Sequence, residues 1–232
     1  MKTKQIFFLL IAISIIGLCI FIYSQKIPYE YQDLQQAIEK KNSEQIITIT
    51  KNVSLTQKQR KESLYALYRI GESQGSCQLL TRSIVKNESL WQETIVSAPI
   101  GVLKCLNKKN TLYQTDSEGN NPLHLTTSFN VDQKKWEYLL RESAKSSINQ
   151  CNAVGESPLT SAARMGNIDA VKSLLNQGAT ISKCDVSAIQ VAIEQNNRTM
   201  FDLLRKNGAS ISKQEMEKII KRTGATLFED SY

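Results

Sequence analysis

The chain is poor in the residues that most active-site chemistry needs. Its 232 residues include one histidine, His124, with 4 prolines, 10 glycines and 2 tryptophans. A lone histidine supplies one base or one ligand, not a set. The five cysteines never form paired CxxC motifs, so the common zinc spacings are missing. Turn residues are sparse, and no apolar/polar alternation of period two persists, which argues against strands. Leucine, isoleucine and alanine dominate instead. These absences point to an all-α fold with no cofactor, no metal, no catalytic residue and no small-molecule substrate.

Charge narrows the partners less. Lysine and arginine number 29 against 22 acidic residues, a formal charge of +7. The cations scatter as Lys58/Arg60/Lys61, Lys108-Lys109, Lys134-Lys135 and Lys218/Lys221/Arg222. A cationic face would suit an acidic protein or anionic headgroups, and an ordinary solvated surface explains the same scatter. Nothing resembles a nucleic-acid module, so nucleic acid is not an expected partner. One hydrolase-like pattern is present, Gly71-Glu72-Ser73-Gln74-Gly75. A nucleophile elbow needs a strand entering a strained turn and a histidine base supplied later in the chain. The preceding Leu64–Ile70 is helical in pattern, so the glycines read as a loop between two helices.

What the chain does have is internal repetition. Glu156–Thr180 orders Ser157-Pro158-Leu159-Thr160, Ala162-Ala163, Gly166, Val171, Leu174-Leu175 and Gly178-Ala179. Upstream, Asp116–Leu125 carries Gly119 and Pro122-Leu123-His124, followed by Trp136 and Leu139-Leu140. Downstream, Ser187-Ala188-Ile189-Gln190 leads to Ala192, Phe201, Leu203-Leu204 and Gly208-Ala209. Gly178–Lys183 recurs position for position as Gly208–Lys213. Proline suits a first helical turn, paired alanines let helices approach closely, and a glycine after the leucine pair ends a helix in the left-handed conformation.

This order resembles the ankyrin repeat: a hairpin finger, a helix, a tight turn, a second helix and a glycine stop. The intervals are 36 from Pro122 to Pro158 and 30 from Pro158 to Ala188, straddling the family period of about 33. The shorter interval falls in the finger. Cys184-Asp185-Val186-Ser187 lacks the finger glycine, so that finger is expected to be clipped. In such repeats the histidine of the Pro-Leu-His motif orders the loop and the helix start by hydrogen bonds, which is the role expected of His124.

Before residue 116 the resemblance fades but the period persists. Leu34, Ala37 and Ile38 share one helical face, Ile46, Ile47 and Ile49 mark a second helix, and Lys40–Asn42 breaks them. Leu64, Leu67 and Ile70 precede Gly71, with Leu79-Leu80 and Ile84 beyond. Leu90–Leu106 breaks at Ala98-Pro99. These read as three degenerate helix pairs. The expected division is a cytoplasmic start at 1–5, an apolar anchor at 6–24, degenerate repeats at 25–115, clear repeats at 116–213 and a capping helix with tail at 214–232. Met216, Ile219 and Ile220 mark the cap, which a solenoid needs in order to show water a polar end.

The anchor is Ile6–Tyr23, an uncharged run of 18 residues behind Lys2 and Lys4. As a helix it would span about 27 Å, close to a bilayer core. Secretory signals have shorter apolar regions and a small-x-small exit, whereas the large Ile22 stands at the candidate exit and Leu18 precedes Cys19. The reading is an uncleaved signal anchor of a bacterial inner-membrane protein, the alternative a cleaved, soluble periplasmic chain. The lysines place the start in the cytoplasm and the repeats across the membrane. Disulfides are allowed there. A Cys77–Cys105 pair stays open. Cys151 and Cys184 occupy equivalent positions in adjacent repeats, and helix packing at about 10 Å puts them beyond disulfide reach.

Repeats of this kind present fingers and first-helix faces to another protein. The candidate contacts are Ser117, Glu118, Asn120 and Asn121 in one finger, Val154 and Glu156 in the next, and Phe129, Arg164, Met165 and Gln195 near the first-helix ends. Family resemblance suggests an immunity protein that captures a secreted toxic effector. The alternative is an envelope scaffold or stress-protection protein.

Overall fold

Short amphipathic helices, many of them opened by a polar side-chain cap, make up the structure. The computed structural model describes residues 29–80, 87–108, 112–127, 131–143, 145–182, 184–226 and 228. Among them every regular element is helical. None of these helices is long and apolar enough to cross a membrane. The expected anchor at 6–24 lies outside the described residues, as does Ile84. The chain forms two units, Met1–Ala66 and Leu67–Tyr232.

The first unit holds α1 (Tyr31–Glu39), α2 (Ser43–Asn52) and most of α3 (Gln57–Arg69). Leu34, Ala37 and Ile38 bury one face of α1, and Ile46 and Ile49 bury one face of α2, while Ile47 is half-buried. Tyr31 Oη donates to Glu62 Oε2 at 2.9 Å.

In the second unit come α4 (Ser73–Leu80), α5 (Glu88–Ser97), α6 (Ile100–Lys108), α7 (Pro122–Thr127), α8 (Gln133–Glu142) and the single turn α9 (Lys145–Ile148). Then follow α10 (Pro158–Arg164), α11 (Ile168–Asn176), α12 (Ala188–Glu194), α13 (Arg198–Lys206) and α14 (Lys213–Thr223). Two rows emerge from the packing. Helices α5, α7, α10, α12 and α14 each touch the next in one row, and α4, α6 and α8 do so in another. The terminal α14 thus continues the first-helix row. It buries Met216 and Ile219 and stops at the left-handed Gly224.

Local chemistry explains the repetition. Asn42, Asn167 and Asn197 each accept a backbone N–H three residues on, opening α2, α11 and α13. Ser157, Ser187 and Ser212 do the same for α10, α12 and α14. Each such cap stabilises its helix by about 1 kcal/mol. Helices α11 and α13 close identically: Gly178 N donates to Leu175 O and Ala179 N to Leu174 O, then Gly208 N to Arg205 O and Ala209 N to Leu204 O. That pair of bonds is the Schellman closure, whose left-handed residue favours glycine. The turns between paired helices repeat as well. Lys41, Gly71, Gly166 and Asn196 all have positive φ and close with the same pair of backbone bonds.

Two cysteine pairs cross between neighbouring repeats. Cys77 of α4 is bonded to Cys105 of α6, with Cα atoms 6.2 Å apart. Cys151 is bonded to Cys184 with Cα atoms 5.7 Å apart, correcting the expectation that they lie beyond reach. The 10 Å spacing belongs to helix axes, whereas these cysteines lie at the fingers. There neighbours meet as adjacent extended strands do, at about 5 Å: Ala153 N donates to Glu118 O at 2.7 Å and Val186 N to Gly155 O at 2.9 Å.

Candidate functional site

The fingers are built from side chains that bond their own backbone. Asp116, buried, accepts Glu118 N at 3.1 Å and Asn120 N at 2.7 Å. One repeat later Asn152 does the same work, accepting Val154 N at 3.2 Å and Glu156 N at 2.9 Å. Backbone bonds close both turns, from Gly119 N to Asp116 O and from Gly155 N to Asn152 O. Asn152 Nδ2 also donates to Asn120 Oδ1 at 2.9 Å. Gly119 is needed twice over: its φ is +76°, and a Cβ there would lie 3.2 Å from Ala153 N. The third finger is reduced to bends at Cys184–Val186.

His124 ties two repeats together. It is 2% exposed. Its Nε2 lies 3.1 Å from Glu156 O, a carbonyl that only accepts, so in the neutral ring the proton is on Nε2, and Nδ1 lies 3.2 Å from Asn121 N and 3.0 Å from Asn121 Oδ1. Burial pushes its pKa below the ordinary value, so the neutral ring bridges finger and helix start as the motif implies. Ser73, the serine of the hydrolase-like pattern, begins α4 and packs against Gly101 of α6, where a Cβ would collide with it. Among the described residues no three His, Cys, Asp or Glu side chains are grouped to hold a metal ion.

The candidate contact residues separate into two classes. Ser117, Glu118, Val154, Met165 and Gln195 are exposed, and Asn120 is half-exposed. Val154 and Met165, 68% and 52% exposed, are the large exposed hydrophobics among the described residues. Met165 and Gln195 cap α10 and α12 at equivalent positions. By contrast Asn121 and Glu156 are buried, at 1% and 7%, which corrects their assignment as surface contacts. Asn121 Oδ1 caps α7 through Leu123 N and His124 N, and its Nδ2 holds Ser147 O and Gln150 Oε1. Glu156 is held by Arg164, whose Nε lies 2.6 Å from Oε1. Arg164 therefore braces the inside of its own repeat, with about a third of its side chain left exposed. Phe129 lies outside the described residues.

Sequence reasoning missed the contribution of α5. Ser117 donates from both N and Oγ to Glu88 Oε1, at 2.9 and 2.7 Å, and Gln92 Nε2 reaches Asp116 Oδ2 at 2.9 Å. Between α5, the first finger and α7 runs an open cleft of about 420 Å³. Its lining includes Glu88, Glu93, Asp116 and Glu118, with no lysine or arginine. On a chain of charge +7 this is a locally negative face. Beneath α5, Lys135 Nζ donates to Val96 O at 2.6 Å, placing a cation at the helix C-terminus, where it is favoured. Burial pushes the pKa of that ammonium below its ordinary value. A second cleft, about 510 Å³ along α1 and α2, has a mixed polar lining including Asp33, Lys40 and Glu44.

A family model described as ankyrin repeats (3 copies) matches residues 94–185 and 136–215. The two matches overlap and together run from 94 to 215, more than half of the chain. A comparison with curated proteins finds no match.

Proposed function

Because the chain belongs to the ankyrin-repeat family, we propose that its fingers and first-helix ends form the surface by which it binds another protein. Such a module works by presenting a rigid face, not by chemistry. The observation that carries the reading is the exposure of Val154 and Met165 within one repeat. The fingers beside them are locked to each other by backbone bonds. Preorganised, partly apolar surfaces are where interface energy concentrates. The negative cleft beside the first finger favours a partner with basic groups at that end. The helix pairs of residues 31–108 are degenerate units of the same kind, and the Lys41 and Gly71 turns support this by repeating the geometry of Gly166 and Asn196.

The finer reading is a protein anchored by residues 6–24 in a bacterial inner membrane, with its repeats in the periplasm, where it captures and neutralises an exported toxic enzyme. The two cysteine pairs support a compartment where disulfides persist. The test is crosslinking and affinity recovery of the tagged full chain from its own cells, with Val154→Glu and Met165→Glu in parallel. One exported enzyme, recovered in near-equal amount and lost with either variant, supports neutralisation through this face. Several resident envelope proteins instead would favour a scaffold. Recovery unchanged by both variants would move the interface elsewhere.

A further inference from the structure

We propose that Cys151 and Cys184 form a thiol–disulfide exchange site that opens and closes within the folded protein and sets the order of the third finger. The two cross-repeat pairs differ in setting. Cys77 and Cys105 are half-buried within packed helices α4 and α6. Cys151 is exposed and outside any helix, while Cys184, half-buried as Cys77 and Cys105 are, sits in a bend. Exchange needs an attacking thiolate to reach one of the two sulfurs, so exposed bonds are the labile ones.

Little else depends on the Cys151–Cys184 bond while the protein is folded. The segment before the third finger is held by Asn149, which accepts Thr180 N at 2.7 Å. Beyond it, Ser187 caps α12. Between these points Val186 N donates to Gly155 O, and Val186 O accepts Thr160 Oγ1 at 3.0 Å. The apolar packing of α10 against α12, through buried Leu159, Ala162, Ile189 and Ala192, involves neither cysteine. Opening the bond therefore frees a short segment pinned at both ends and leaves the helix rows intact, a local transition of low cost.

The chemistry balances with a disulfide-bearing thiol oxidant, either a protein disulfide or oxidised glutathione. One cysteine thiolate attacks a donor sulfur and expels a donor thiolate, giving a mixed disulfide. The second cysteine thiolate then attacks the sulfur of the first, closing Cys151–Cys184 and expelling the other donor thiolate. Two thiols of the chain lose two electrons and two protons, and one donor disulfide becomes two thiols. Reduced glutathione runs the sequence backwards.

The experiment uses the full chain purified without reductant and poised in glutathione buffers of decreasing potential. Each cysteine is followed by maleimide labelling and mass spectrometry, the backbone by hydrogen exchange, and the helices by circular dichroism. The expected result is that Cys151 and Cys184 lose protection first, with helicity unchanged. Exchange should rise at 152–156 and 184–187 but not at 159–164 or 189–194. A Cys151→Ser/Cys184→Ser double variant should show the same raised exchange without reductant. The proposal is overturned if these cysteines label before any reductant is added. It is equally overturned if all four cysteines open together as the helices melt, or if exchange at 184–187 is the same in variant and parent.

Discussion

Removing the finger disulfide by Cys151→Ser, with Cys184→Ser to avoid a stray thiol, should lower stability through the unfolded chain rather than the folded one. The bond closes a loop of 33 residues. In the chain-entropy treatment, losing that closure costs about 3.7 kcal/mol at 25 °C. The folded side of the balance changes little, because the helices flanking the bond pack without it. For a chain of this size, about 2–4 °C is lost per kcal/mol, so the melting temperature should fall by about 7–15 °C. The same arithmetic on the Cys77–Cys105 loop of 28 residues gives about 3.6 kcal/mol. The two bonds should therefore be nearly equal in equilibrium stability while differing in how readily they are reduced. The assay is thermal unfolding of parent and variant by circular dichroism, with and without reductant. Equal melting temperatures for parent and double variant under oxidising conditions would refute the reasoning, because a formed bond must restrict the unfolded chain.

Other consequences are open to test. Gly119→Ala places a Cβ 3.2 Å from the next finger's backbone at a φ of +76°. It should cost about 1–2 kcal/mol for the left-handed strain alone, and urea unfolding with no loss would argue against the close approach of the fingers. Arg164→Ala should cost about 1–3 kcal/mol by leaving the buried Glu156 carboxylate without its charged donor. A variant of full stability that loses partner binding would make Arg164 a contact instead of a brace. The folded pKa of His124 lies below its ordinary 6.5 because the ring is buried. The unfolded chain therefore binds more protons just below that pH, so this contribution is intact above 6.5 and is lost as pH falls through the folded value. His124→Gln should flatten the decline in stability between pH 6.5 and about 5, above the main carboxylate titrations, and an unchanged slope would show that the decline has another origin.

The helices were legible because their signals are local. The apolar face of α1 at Leu34, Ala37 and Ile38 and the break at Lys40–Asn42 follow from a period of 3.6 and a turn within a dozen residues. The glycine stops at Gly178 and Gly208 are equally local, being fixed by the left-handed closure. The turn between paired helices was a poor marker of the repeat because different residues make it. Glycine does so at 71 and 166, but Lys41 and Asn196 adopt the same positive φ. A side chain with no motif value can thus hold a motif position when the flanking helices pack well enough to offset the strain.

The site was less legible because it is assembled across repeats. Asn121 and Glu156 looked like finger contacts since they stand beside polar, exposed neighbours, and only the folded chain shows them turned inward to cap a helix and to meet Arg164. Glu88 and Gln92 reach Ser117 and Asp116 across 29 and 24 residues, and no pattern in the segment around α5 marks them. The cysteines make the same point about distance. Reasoning from helix spacing separated Cys151 from Cys184, because it applied one interval to a repeat that has two. The axes of packed helices stand about 10 Å apart, while neighbouring fingers are linked by single backbone hydrogen bonds at strand-like range. Where a residue sits within the repeat therefore decides which interval governs it.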